Sequence, residues 1–281
     1  MTLSFVPLSQ SIAAEVTGLE AADSLTPSGA SAVREALDQY GVLVFPRLFP
    51  DDAGQVALSR AIAPIVPAYR GDPADAPEFP EIFTVTLDPK LNPAAQFLRA
   101  TIHWHIDGTT AEVPNMASLL SARELPAEGG AATEFCNTYA GWAALPEHEK
   151  REYEDLRVVH SLEHSQRLVT AEPTAQQLAI WRAQPPREHP LVWQHQSGRS
   201  SLVVGATASA VVGMPEPEGR ALLDKLEAWT TRPEFVYRHH WSEGDLLIWD
   251  NRGTMHRAIP YDATTRRIMH RTELAGEEAI A

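Results

Sequence analysis

Residues 249–271 read WDNRGTMHRAIPYDATTRRIMHR, which puts five arginines and two histidines into one short run of a chain whose formal net charge is -14. Two strand-like pieces, 255–259 and 266–272, lie within it. If 265–272 is extended, Arg267, Met269 and Arg271 project from one face, and Arg266 and His270 from the other. His256 stands eleven positions before Arg267 and fifteen before Arg271. Far upstream, Trp104-His105-Ile106-Asp107 places an imidazole and a carboxylate on a shared face by the same alternation. Two histidines and one aspartate form the ligand set of the facial triad of a non-haem Fe(II) oxygenase, whose open positions take a chelating 2-oxo acid and dioxygen. His103 has the same parity as His105 and Asp107, so His103 with His105 is an alternative pair.

Working outward, apolar residues recur at strand and helix spacings in many short segments. Residues 3–19 predict one or two strands with Gly18 as a turn, Thr26-Pro27 starts a helix that Gly41 ends, and 42–45 is a strand. Asp51 and Asp52 cap a second helix reaching Ile62. A Pro-, Asp- and Ala-rich loop follows at 67–80, with strands expected at 82–87, 101–107, 116–122 and 132–135, the last two flanking a Gly129-Gly130 turn. Residues 137–156 read as helix broken at Pro146. The segment 160–190 loses strand character, predicts a helix at 174–183, and is the candidate lid insertion. A hairpin about Ser197-Gly198, a helix at 216–230 and strands at 235–241, 245–249, 255–259 and 266–272 complete the chain. This pattern predicts an α+β fold: a double-stranded β-helix, or jelly roll, with flanking helices and a lid, as one domain over residues 1–281.

With a hydrophobic content of 44% and no run approaching the roughly 18 apolar residues of a span, the sequence predicts no transmembrane helix. The opening MTLSFVPLSQS lacks a basic, then apolar, export signal, so a cytoplasmic location is expected. One cysteine, Cys136, leaves metal chemistry to histidines and carboxylates. The acidic balance argues against a nucleic-acid partner, because phosphate binding needs basic surface. It also means that an anionic small molecule must be met by locally clustered arginine.

From the Ser4–Gly18 opening through WHID, the Gly129-Gly130 to Thr133 stretch and WDNR to RRIMHRT, the chain resembles the TauD/TfdA group of Fe(II)/2-oxoglutarate dioxygenases. The resemblance implies Fe(II), 2-oxoglutarate as cosubstrate and O2, a small-molecule substrate, and a homo-oligomer, dimer or tetramer. It implies His105, Asp107 and His256 as the metal ligands on which catalysis depends, with His103 as pocket wall. Thr133 and Arg267 would hold the cosubstrate, a guanidinium being able to grip its distal carboxylate with two parallel hydrogen bonds. One more residue separates Gly130 from Thr133 than the family's Gly-Gly-x-Thr. Arg271, Tyr69, His103, Thr101 and Val66 fall at primary-substrate positions. Val66 and Thr101 stand where taurine dioxygenase has histidine and asparagine, so the resemblance implies an acidic substrate other than taurine. Expected chemistry is hydroxylation of an unactivated C–H with release of succinate and CO2, with C–S, C–O or C–N cleavage when the hydroxyl lands beside a heteroatom. Desaturation or oxidative rearrangement, such as isonitrile formation, is the alternative at the same iron. A non-catalytic jelly-roll binding protein and a metal hydrolase are rivals that leave Arg267 and Thr133 without a task.

Overall fold

The computed structural model describes residues 2–20, 25–126, 132–262 and 264–281; the expected Gly129-Gly130 turn lies outside them. An eight-stranded sheet runs Ser4–Pro7, Ala14–Thr17, Val42–Phe45, Leu246–Asp250, Ala117–Glu124, Ile268–Leu274 and Ile65–Val66, with Phe83–Val85 also paired to Ile268–Leu274. A three-stranded antiparallel sheet, Val236–His240, Ala132–Asn137 and Thr254–Ala258, packs against it. The result is the jelly roll with helices outside it.

Alternation along the strands explains the layering. On Val42–Phe45 and Leu246–Asp250, Val42, Val44, Leu247 and Trp249 turn inward and meet Phe135 and Met269 between the sheets. Their neighbours Leu43, Phe45, Leu246 and Ile248 turn outward and are covered by Val33, Leu37, Leu58 and Ile62 of the helices Pro27–Tyr40 and Asp52–Ile62. Each such fully buried side chain contributes about 1.5–3 kcal/mol. Behind the smaller sheet, Cys136 and Met255 pack with Trp193 and with Leu223 and Leu226 of the helix Glu216–Thr230. Local signals set the ends of the first two helices: the Thr26 hydroxyl accepts from Gly29 N–H, Gly41 closes the turn at φ 70°, and the Asp51 carboxylate accepts from Gly54 N–H.

Three expectations are corrected. Residues 101–107 do not form a strand: a 3₁₀ helix, Ala95–Ile102, runs into them, and only His105 makes a β-bridge, to His256. The segment 160–190 does not lose strand character at its ends, because Arg157–His160 pairs antiparallel with Arg187–Pro190 and buries His160 completely. The insertion is therefore the excursion between those strands, carrying the helices Leu162–Arg167 and Ala175–Arg182. Finally, Arg267 precedes its strand, and the pairing with Ala117–Glu124 shifts register between Ile268 and Met269.

Candidate active site

His256 lies on Thr254–Ala258, opposite Phe135, with its ring 4.8 Å from Trp249 and 6.0 Å from Phe135. Reciprocal backbone hydrogen bonds of 3.0 and 2.9 Å tie His105 to it, so the two imidazoles stand 4.1 Å apart although no regular strand carries His105. Gly205 permits this approach. Its φ is +104°, and a Cβ there would lie 2.7 Å from the Trp104 carbonyl oxygen.

One ligand atom from each of His105, Asp107 and His256 falls within 4.8 Å of the others. Nε2 of His105 lies 3.9 Å from Asp107 Oδ1, and Nε2 of His256 lies 3.8 Å from Oδ2, too long for hydrogen bonds and spaced around a common point. Nδ1 of His105 donates to the His103 carbonyl at 2.9 Å, which leaves its Nε2 free to ligate. Ser118 donates to Asp107 Oδ2 at 3.3 Å and accepts from the Asn251 amide at 3.0 Å, so the asparagine of WDNR orients the carboxylate through one hydroxyl. Burial pushes the Asp107 carboxyl up, but Arg271, then His256 and His105, outweigh it and hold the group below its ordinary range. Burial, reinforced by His105, lowers His256 to about 3, keeping it a neutral donor at physiological pH. Two imidazoles beside an ionised carboxylate, with a face open to a cavity, fit a divalent iron.

That cavity, of about 630 Å³, is lined by both histidines and by Thr101, His103, Thr133, Arg267 and Arg271. Arg267 is 4% exposed, its Nε has no partner, and no described carboxylate pairs with it; Tyr261 stands by, its ring 5.1 Å away and its hydroxyl in hydrogen-bond contact with the guanidinium. Thr133, 5% exposed, accepts from Trp241 Nε1 at 2.9 Å. Arg266, by contrast, pairs with Glu124 at the surface, and His270 turns to Asp52 at 2.7 Å, as the alternation requires. A second cavity of about 340 Å³ shares Thr101, His105 and Arg271 and adds Asp107. Tyr69 and Val66 line neither cavity. The Tyr69 hydroxyl donates to the Asp72 carbonyl within its own loop, and Val66 is engaged in backbone pairing with Glu273.

Residues 4–272 match the family described as Taurine catabolism dioxygenase TauD, TfdA family. The chain belongs to that family. As a TauD/TfdA protein it is 36% identical over 274 residues to the alpha-ketoglutarate-dependent 2,4-dichlorophenoxyacetate dioxygenase of Burkholderia sp. (strain RASC), covering 93% of this chain and 91% of that protein. It is 31% identical over 278 residues to the (S)-phenoxypropionate/alpha-ketoglutarate-dioxygenase of Sphingobium herbicidovorans, covering 97% and 95%. The crystal structure of AAD-2 in complex with Mn(II) and N-oxalylglycine superposes over 100% of both chains, with a TM-score of 0.84 and 33% identity. This TauD/TfdA chain is thus an oxidoreductase, an alpha-ketoglutarate-dependent dioxygenase that uses iron and the 2-oxo acid. No helix among the described residues is long and apolar enough to cross a membrane.

Several residues lining this dioxygenase's cavities were not singled out individually by the sequence. Phe83, whose ring lies 5.2 Å from the Arg271 guanidinium, lines the smaller cavity. Leu168 and Val169 of the insertion line the larger cavity, and Leu162, Ser165 and Gln166 the smaller. Ser118 bonds Asp107 and Gly205 admits the Trp104–His105 backbone, and isolated residues of those types carry no motif.

Proposed function

We propose that the chain hydroxylates a C–H of a small organic acid with an apolar body, with His105, Asp107 and His256 holding iron and Arg267 and Thr133 holding 2-oxoglutarate. One observation carries the proposal: the cavity at the triad is lined by Arg99, Arg267 and Arg271 and by no described carboxylate, in a chain with 37 acidic residues. Of these, Arg267 is buried with no described carboxylate against it, whereas Arg271 is paired with Glu273 and Arg99 is exposed; a buried cation without an anionic partner is costly, and a bound carboxylate relieves that cost. The balance is R–H + 2-oxoglutarate + O2 → R–OH + succinate + CO2, the oxidising power coming from the iron, cosubstrate and dioxygen together.

The protein's own work is binding and exclusion. Arg267 grips the distal carboxylate of the 2-oxo acid through its planar fork, with the Thr133 hydroxyl beside it. Asn251 and Ser118 hold Asp107 in its ligating orientation. Arg271, reaching both cavities, takes the acid group of the primary substrate, while Leu98, Ile102, Leu168 and Ile259 surround its apolar body and keep water away. Thr101 and His103 contribute polar wall. The named substrates of the relatives, a dichlorophenoxyacetate and a phenoxypropionate, have this form. Hydroxylation beside an ether oxygen gives a hemiacetal that collapses to a phenol and a 2-oxo acid or aldehyde acid, which cleaves the C–O bond.

The test is a succinate-release assay with 2,4-dichlorophenoxyacetate, 2-phenoxypropionate, the methyl ester of each, and taurine. The acids are expected to release succinate and a phenol, the esters far less, and taurine none. Taurine turnover at the rate of the aryloxy acids, or equal turnover of acids and esters, would overturn the proposal.

A further inference from the structure

Arg271 sits between two carboxylates. Its Nη2 lies 2.8 Å from Glu273 Oε1, and its Nη1 lies 3.6 Å from Oδ2 of Asp107. The first is an ion pair at contact distance and the second is a longer one. Glu273 is itself fixed, accepting at Oε2 from the Asn115 amide at 2.7 Å, and its backbone is locked by pairing with Ser118 and Val66. Asp107 receives only the longer 3.3 Å bond from Ser118. The guanidinium has in Glu273 a shorter, better-anchored partner than in Asp107.

We infer that Glu273 is a positioning residue that holds Arg271 off the metal-ligating carboxylate of Asp107, so that one arginine can serve the substrate without disabling the metal site. Without Glu273, Arg271 keeps its charge in a buried setting, and the nearest remaining anion is Asp107, less than an ångström beyond hydrogen-bond reach. A guanidinium that closes that gap as a two-pronged pair occupies the oxygen lone pairs that a metal ion needs. Glu273 and Arg271 thus act as a unit, which gives the inference a signature that a merely structural role lacks: loss of Glu273 harms metal binding only while Arg271 is present.

The inference rests on the assignment of His105, Asp107 and His256 as metal ligands, and the experiment separates the two. Mn(II) binding to the full chain is measured by calorimetry and by the loss of free-ion electron paramagnetic resonance signal, without substrate. Glu273→Ala is expected to weaken Mn(II) binding about 10- to 100-fold, the range usual for residues that orient metal ligands. Glu273→Gln, isosteric and still able to bond Asn115, is expected to weaken it less, and it keeps the test open should the alanine variant misfold. The double variant Arg271→Ala/Glu273→Ala is expected to return affinity to the wild-type value. Unchanged affinity in both Glu273 variants, or no recovery in the double variant, would overturn the inference. Failure of the wild type to bind Mn(II), or full retention by Asp107→Ala, would instead overturn the ligand assignment.

Discussion

Replacing Arg267 by lysine preserves the charge and discards the fork. In the structure this guanidinium is 4% exposed, has an unpartnered Nε, and faces the cavity that contains the triad, with no described carboxylate to satisfy it. In the proposed role a bound 2-oxoglutarate would provide its charge partner through two parallel N–H···O bonds, and an ammonium group would supply one such bond at most in the same direction. Loss of one charge-assisted hydrogen bond costs about 1.5–3 kcal/mol, equivalent to about a 10- to 150-fold weaker cosubstrate at 1.36 kcal/mol per factor of ten. The assay is KM for 2-oxoglutarate from succinate release at saturating aryloxy acid, with the dissociation constant checked by calorimetry on the Mn(II)-loaded protein. Arg267→Lys is expected to raise both, with little change in KM for the primary substrate. Arg266→Lys, which alters an exposed pair with Glu124, is the internal control and is expected to leave both unchanged. Equal effects at the two positions, or an unchanged KM in Arg267→Lys, would refute the argument from burial and strand face.

Three more outcomes follow from other parts of the site. Gly205→Ala is expected to destabilise the protein by about 1–3 kcal/mol, because its φ of +104° strains an L residue and the added methyl would meet the Trp104 carbonyl at 2.7 Å; melting temperature and Mn(II) affinity should fall together, and a neutral substitution would show that the His105 backbone is not held there. Burial, reinforced by the neighbouring His189, lowers His160 to about 3, and burial likewise lowers His256 to about 3. The unfolded chain then binds more protons than the folded one below about pH 6.5, so metal-free stability is expected to decline from there toward pH 3, and His160→Gln should flatten that slope in melting curves taken at stepped pH. Arg271→Ala is expected to abolish the preference for an aryloxy acid over its methyl ester while leaving 2-oxoglutarate affinity intact, a cost of about 1.5–3 kcal/mol for one charged contact; unchanged discrimination in paired succinate assays would remove Arg271 from substrate recognition.

Much of this architecture was legible because strand alternation and helix caps are local. The Thr26-Pro27 and Asp51 starts, the Glu216–Thr230 helix and the inward face of Met269 and Arg271 all follow from spacing that no distant contact overrides. The convergence of His105 and Asp107 was also expected, but for the wrong local reason. Their segment is not a strand, and it is the reciprocal bridge to His256 together with the glycine at 205 that aligns them. Tyr69 and Val66 line neither described cavity, because position relative to a motif says nothing about where a loop folds back, and the Tyr69 hydroxyl bonds Asp72. The strands enclosing the insertion were missed since His160 and His189 look polar in sequence; only the buried hydrogen bonds to Thr207 and Thr109 make those positions compatible with strand interiors. Glu273 and Ser118 have no signal beyond their neighbours' roles, which only a folded chain reveals.

The central claim is that His105, Asp107 and His256 bind the one catalytic metal ion, with His103 left as pocket wall. Anaerobic Fe(II) titration by calorimetry, run on the wild type and on His103→Ala, His105→Ala, Asp107→Ala and His256→Ala, tests it most directly. One iron per chain is expected in the wild type and His103→Ala, and loss of tight binding in the other three while their circular dichroism is unchanged. Retention of iron by Asp107→Ala together with its loss from His103→Ala would contradict it.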